Sequence, residues 1–202
     1  MPKVRIDSSQ TWATFLKNHA GDIWACDLTV VHDLLFRLRY IFVVIELQTR
    51  RIMHPAVTRS PTDDWTAQQL RGATPWGKGP KYLICDRDNK YAPLFLNVAK
   101  STRIKVLKTP VRAPKTNAIC ECTIGSLKRE CLDHMLILHS YQLHYIIRAY
   151  ADTYNHSRPH QGIWQRVPAQ FPRTYLPSSG QIIATPVLGG LHHAYSRAAY
   201  LH

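Results

Sequence analysis

Three acidic residues stand where structural demands alone explain them poorly. Asp27 interrupts the apolar run from Ile23 to His32, Asp86 ends the short run from Lys81 to Cys85, and Glu121 flanks the apolar face of a helix beginning near Asn117. An isolated buried carboxylate costs on the order of several kcal/mol unless it is paired, hydrogen-bonded or bound to a metal. If the strands bearing Asp27 and Asp86 are neighbours, the helix carrying Glu121 can bring all three together, and such a cluster repels itself without a cation. Hard divalent ions such as Mg²⁺ take carboxylate and phosphate oxygens. The chain has 26 Lys and Arg against 13 Asp and Glu, a net charge of +13 and a pI of about 9.8, so its expected partner is a polyanion. Three carboxylates on a basic chain point to phosphodiester chemistry. On residue types alone, a set of unrelated turn and cap acids fits the pattern as well, and Asp88 rivals Asp86 for the second position.

The elements that would position these acids show in the periodicity. Within Ile23 to His32, Trp24, Cys26, Leu28 and Val30 face one way and Ala25, Asp27, Thr29 and Val31 the other, as in a strand. Tyr40 to Leu47 is an almost continuous β-branched and aromatic run, expected of a strand buried on both faces, and a third strand from Ile52 to Val57 follows Arg50 and Arg51. Ser60-Pro61-Thr62-Asp63 predicts a helix from Pro61 to about Arg71. A strand from Lys81 to Cys85, a helix near Pro93 to Lys100 and a strand from Ile104 to Leu107 come next. Three antiparallel strands followed by strand, helix and strand imply an α/β fold, a mixed sheet with helices on its faces.

Asn117 is expected to cap the helix that reaches about His134, with Cys120, Ile124, Leu127 and Cys131 as its core stripe and Glu121, Gly125, Lys128 and Leu132 on a neighbouring stripe. Ser140 begins the last clear helix, whose buried face is Leu143, Ile147, Tyr150 and Tyr154. Ser9 is expected to cap a short N-terminal helix from Gln10 to about His19, with too few residues before it for a helix-turn-helix. Past Pro168 the expectation is an irregular C-terminal tail with one strand-like stretch, Gln181 to Val187. The chain thus divides into an N-terminal segment (1–22), a core (23–168) and a tail (169–202).

The longest apolar stretch, Ile41 to Ile45, is far below the ~18 residues a membrane span requires, and the N-terminus lacks a secretory apolar region. The expectation is a soluble, cytoplasmic, DNA-associated protein with no membrane partner. Five cysteines without CxxC spacing argue against a disulfide framework and a ribbon-type zinc site, and His192-His193 lacks ligand partners at finger spacing.

Taken in order, the segments around the three acids resemble the catalytic core of DDE transposases and retroviral-type integrases, above all insertion-sequence transposases. "WACDL" at Trp24 to Leu28 looks like the first-aspartate strand, and "CDRDNKY" at Cys85 to Tyr91 is similar to the second-aspartate motif. In "TNAICECTIGSLKRE" at Thr116 to Glu130, Asn117, Glu121 and Lys128 match Asn-Ala-x-x-Glu with a basic residue seven positions on. "YNHSRPHQGI" at Tyr154 to Ile163 is like the Tyr-Asn-x-x-Arg-Pro-His that closes many such cores. The distance from Asp86 to Glu121, 35 positions (121 − 86), suits the same pattern, and the resemblance spans about Ile23 to Pro168.

The resemblance implies an RNase H-like five-stranded mixed sheet flanked by helices. It also implies that Asp27, Asp86 and Glu121 are catalytic and hold two Mg²⁺ or Mn²⁺ ions, for DNA-end cleavage followed by strand transfer. Lys128, two helical turns from Glu121, is then expected on a DNA phosphate. Gly125 between them would let a DNA backbone approach, and Arg112, Lys115, Asn117 and Arg158 are further DNA-binding candidates. The partners implied are transposon ends and target DNA, further copies of the chain on that DNA, and a separate DNA-recognition polypeptide. Two other readings stay open: a catalytically inactive DNA-binding or regulatory remnant, and a structure-directed nuclease that cuts without joining.

Overall fold

The computed structural model describes residues 11–75, 78–109, 117–170 and 179–198. Five strands form one sheet: β1 (Ile23–His32), β2 (Leu38–Glu46), β3 (Ile52–Thr58), β4 (Tyr82–Cys85) and β5 (Lys105–Lys108), in the order β3-β2-β1-β4-β5. β1 to β3 are antiparallel neighbours, whereas β1, β4 and β5 run parallel. The expected mixed sheet is therefore the observed one. Its edges discourage further pairing, since β3 carries Pro55 and β5 carries Lys105 and Lys108.

Both faces of the sheet are covered, which explains the nearly unbroken apolar run of β2. On one face α1 (Trp12–Asn18), α4 (Ala118–Glu130) and α5 (Ser140–His156) pack over Ile23, Ala25, Val43, Ile45 and Ile84. On the other, α2 (Asp63–Ala73) and α3 (Pro93–Ser101) pack over Trp24, Cys26, Val44, Leu83 and Cys85. The expected stripe of Cys120, Ile124, Leu127 and Cys131 is buried as read. The Asp63 carboxylate accepts from the backbone N–H groups of Ala92, Leu94 and Phe95, so α2 satisfies the open start of α3 and fixes the loop after β4.

Two expected caps are corrected. α1 starts at Trp12 with Thr11 as cap, its hydroxyl accepting from Thr14 N–H at 3.2 Å, while Ser9 lies outside the described residues. Asn117 makes no capping bond: at φ −111° and ψ 16° its backbone is already turned into the helix, whereas a capping side chain works from an extended residue. At the β1–β2 turn Asp33 gathers the Arg37 and Arg39 guanidiniums, at 2.9 and 2.5 Å. Burial opposes its ionisation, but hydrogen bonds from Arg37, Arg39 and Leu35 hold the carboxyl well below the usual range. The strand-like stretch of the tail is β6 (Ile182–Val187), and it pairs with β7 (His192–Arg197) in a separate two-stranded sheet.

Candidate active site

Alternation along β1 puts Asp27 on the face covered by α4 and α5, opposite Val43 of β2. The parallel register pairs Ala25 with Ile84, so two positions further on Asp27 comes level with Asp86, the residue just past β4. α4 lies over this part of the sheet through Cys120 and Ile124, and Glu121 stands beside Cys120 in its first turn, exposed. One sheet register and one helix thus bring three acids, distant in sequence, to the same region.

Their charges act on common groups. Burial, reinforced by the charges of Asp86, Glu121 and Asp88, pushes the Asp27 carboxyl up to about 6, while the Leu28 N–H, donating to Oδ1 at 2.7 Å, works the other way. The Cys120 thiol is also pushed up, by burial and then by Asp27, Asp86 and Glu121. Asp86 accepts from the Thr109 hydroxyl at 3.1 Å, and Glu121 makes no hydrogen bond or ion pair among the described residues. Asp88 is engaged elsewhere: despite its partial burial, the Lys90 ammonium at 2.5 Å holds its carboxyl low. Asp86 is accordingly the better placed of the two rivals.

Among the described residues no three His, Cys, Asp or Glu side chains are gathered closely enough to hold a metal ion as a finished set. Even so, the donor chemistry fits a hard divalent cation. All three groups are carboxylates, and Asp27 is a half-buried acid facing like charges with no cationic partner among the described residues.

Thr109 is the neighbour that sequence reasoning missed. Its position opposite Asp86 follows from the β4–β5 register, in which Cys85 pairs with Lys108.

Of the expected DNA contacts, Lys128 lies seven positions after Glu121 on α4, half-buried and without an ion pair among the described residues. Arg112 and Lys115 lie outside the described residues. Asn117 is buried, and neither end of its amide finds a partner among the described residues. At Gly125 an added Cβ would meet only the Arg129 guanidinium, at 3.0 Å, so no backbone packing requires a glycine there. Gly125→Ala should therefore raise helix stability by about 1 kcal/mol, read by denaturant unfolding. If DNA passes close to this turn, the same variant loses DNA affinity in a filter-binding titration.

Arg158 belongs to a network that ties the closing motif to the fold. Its guanidinium pairs with Glu130, hydrogen-bonds His160 at 2.9 Å and lies over the Tyr154 ring. Tyr150 donates to Glu130, and the Asn155 side chain both donates to and accepts from the backbone of Ile52 on β3. Burial, then the Arg158 charge, lowers the His160 imidazole to about 4. Because this lies below the ordinary 6.5, the neutral ring's contribution is complete above pH 6.5 and is lost as pH falls toward 4. Across that window wild type should lose on the order of 2 kcal/mol more stability than His160→Gln, as measured by thermal melts at each pH.

The comparisons agree with this geometry. A family model described as an integrase core domain matches residues 102–168, the stretch that holds α4, α5 and the closing motif. No curated protein matches the chain. Among solved structures, the simian T-cell lymphotropic virus intasome in complex with PP2A regulatory subunit B56 gamma aligns at a TM-score of 0.65 and 16% identity, over 88% of this chain and 67% of that one. The HTLV-2 integrase catalytic core domain in complex with magnesium aligns in its trimeric form at 0.61 and 16%, over 74% of this chain and 95% of that one. Its dimeric form gives 0.60 and 16%, over 75% and 95%. Residues 102–168 thus match the integrase core domain model, and the chain shares the fold of these integrase catalytic cores.

Proposed function

We propose that this core cuts DNA ends and joins them to a target, with Asp27, Asp86 and Glu121 as the metal-binding carboxylates. The observation that carries the reading is the mid-strand Asp27, half-buried and raised by that burial and then by the charges of Asp86 and Glu121, on a protein of net charge +13. When bound, Mg²⁺ or Mn²⁺, two ions by the resemblance, supplies activation of the attacking oxygen and neutralisation of the leaving oxygen. Asp27 offers its carboxylate from β1 and Asp86 from the residue just past β4, and Thr109 orients the Asp86 carboxylate through its hydroxyl. Glu121 offers the third from the start of α4. Lys128, further along that helix, would hold a phosphate of the DNA, and Arg112 and Lys115 are proposed as further DNA-binding residues. The similar structures include an integrase core in complex with magnesium, in dimeric and trimeric forms, and an intasome. That kinship supports a divalent cofactor and further copies of this chain on DNA. A DNA-recognition polypeptide belongs to the same proposal, as does a place beside DNA in the cell; among the described residues no helix is long and apolar enough to cross a membrane.

The test is incubation of the protein with labelled duplex oligonucleotides and Mg²⁺ or Mn²⁺, scoring both nicked ends and joined products. Metal-dependent joining is expected. Cutting without joining would instead indicate a nuclease on this fold. The absence of a finished three-ligand set among the described residues favours one second reading, a DNA-binding remnant without activity. Salt-sensitive DNA binding with no cleavage in Mn²⁺ would establish that reading.

A further inference from the structure

Away from the three acids, a groove of about 400 Å³ runs between α1, the β2–β3 turn, the start of α4 and the turn after Gly162. Its floor is apolar, from Leu16, Leu47, Ile119 and Ile163, its rim bears the cations Lys17 and Arg50, and no carboxylate is among its described lining residues. Over it stands Trp164, 77% exposed. The backbone beneath that side chain is unusual. Arg166 N–H donates to the Ile163 carbonyl at 3.2 Å, and both residues between, Trp164 (φ 56°) and Gln165 (φ 59°), are left-handed, which makes a type I′ turn. Such turns favour Asn-Gly, and a bulky residue at positive φ is strained. An exposed indole held at a strained position is stabilising neither through burial nor through its backbone, so the strain points to a role in binding.

We propose that this groove receives an unpaired nucleotide of the DNA, its base stacked on Trp164 and its phosphate held by Lys17 and Arg50. A flat aromatic face, an apolar floor and two cations with no carboxylate in the described lining match a base and its phosphate. A carboxylate-bearing protein segment would need only the cations, and an apolar one would leave them without partners. Ile119 lies two residues before Glu121, so the groove adjoins the helix end that carries the third acid. The inference rests on the proposed action on DNA and adds that single-stranded flanks are part of the substrate.

Trp164→Asn separates this from a structural role, since it removes the indole and places a residue that tolerates positive φ. In the full chain it should raise the melting temperature by a few degrees. It should also lower, by about tenfold, the ratio of affinity for a duplex with a five-nucleotide single-stranded extension to affinity for the blunt duplex, by fluorescence anisotropy. Trp164→Phe should keep most of that ratio. An unchanged ratio in Trp164→Asn overturns the inference, as does a lowered melting temperature. Loss of self-association in sedimentation also overturns it, because the groove would then seat a second copy of the chain. If wild type binds neither oligonucleotide, it is the action on DNA that fails; if wild type binds and cuts while the Trp164→Asn ratio is unchanged, only the nucleotide groove fails.

Discussion

Asp86→Asn is expected to reduce metal-dependent cleavage by about 10³-fold or more, since charge stabilisation by a bound metal contributes several kcal/mol and each 1.36 kcal/mol is a factor of ten. DNA affinity in the absence of metal should stay equal or rise, because one negative charge facing the phosphates is gone. The fold should persist, because the one side-chain bond Asp86 makes among the described residues, accepted from the Thr109 hydroxyl beyond the end of β4, can be accepted by the asparagine amide oxygen as well. Gel assays of cleavage beside anisotropy titrations of binding provide both readings. Undiminished cleavage in Asp86→Asn removes Asp86 from the ligand set, and Asp88→Asn, which should be nearly silent, becomes the variant of interest.

Asp27→Asn should make the metal-free protein more stable while also abolishing cleavage. The Asp27 carboxyl is raised from 3.8 to about 6, so the folded chain holds its proton more tightly than the unfolded chain does. The favourable contribution of this group is complete below pH 3.8 and is lost as pH rises through 6; at pH 7.5 the native state carries an ionised, repelled carboxylate. Asparagine resembles the neutral acid in shape and carries no charge. The expected gain at pH 7.5 is up to about 3 kcal/mol, from 1.36 kcal/mol per pH unit. Denaturant unfolding in EDTA measures it. Added Mg²⁺ should then stabilise wild type and leave Asp27→Asn nearly unmoved, since a ligand that binds only the native state raises its stability. A less stable Asp27→Asn would mean that the carboxylate is held by attractive contacts.

How much of this was legible depends on the range of the interactions. β1 reads from residue to residue because its side chains alternate between the two faces of the sheet, but that Asp27 and Asp86 lie level needed the β1–β4 register. The helix α4 reads from its apolar stripe, which put Glu121 beside the core. Local chemistry was less certain where two residues competed for one job: Thr11, and not Ser9, caps α1, and Asn117 is buried where a cap was expected. β7 escaped notice because His192, His193, Ser196 and Arg197 show little apolar alternation. The closing motif matched a pattern, but its contacts could not be read, since Asn155 bonds to Ile52, 103 positions away. Thr109 needed the β4–β5 register before it could be set against Asp86.

The parallel pairing of Ala25 with Ile84 also bears on when the molecule becomes competent. β2 and β3 fold back on β1 through short turns, so a ribosome-bound chain can build that meander early. β4 must then find β1 across the whole intervening segment, and α4 must emerge and dock before a third acid arrives. A polypeptide released prematurely, anywhere before Glu121, would lack the third carboxylate of the proposed set. Under the proposed function, the topology therefore permits no cutting until Glu121 has been synthesised and docked.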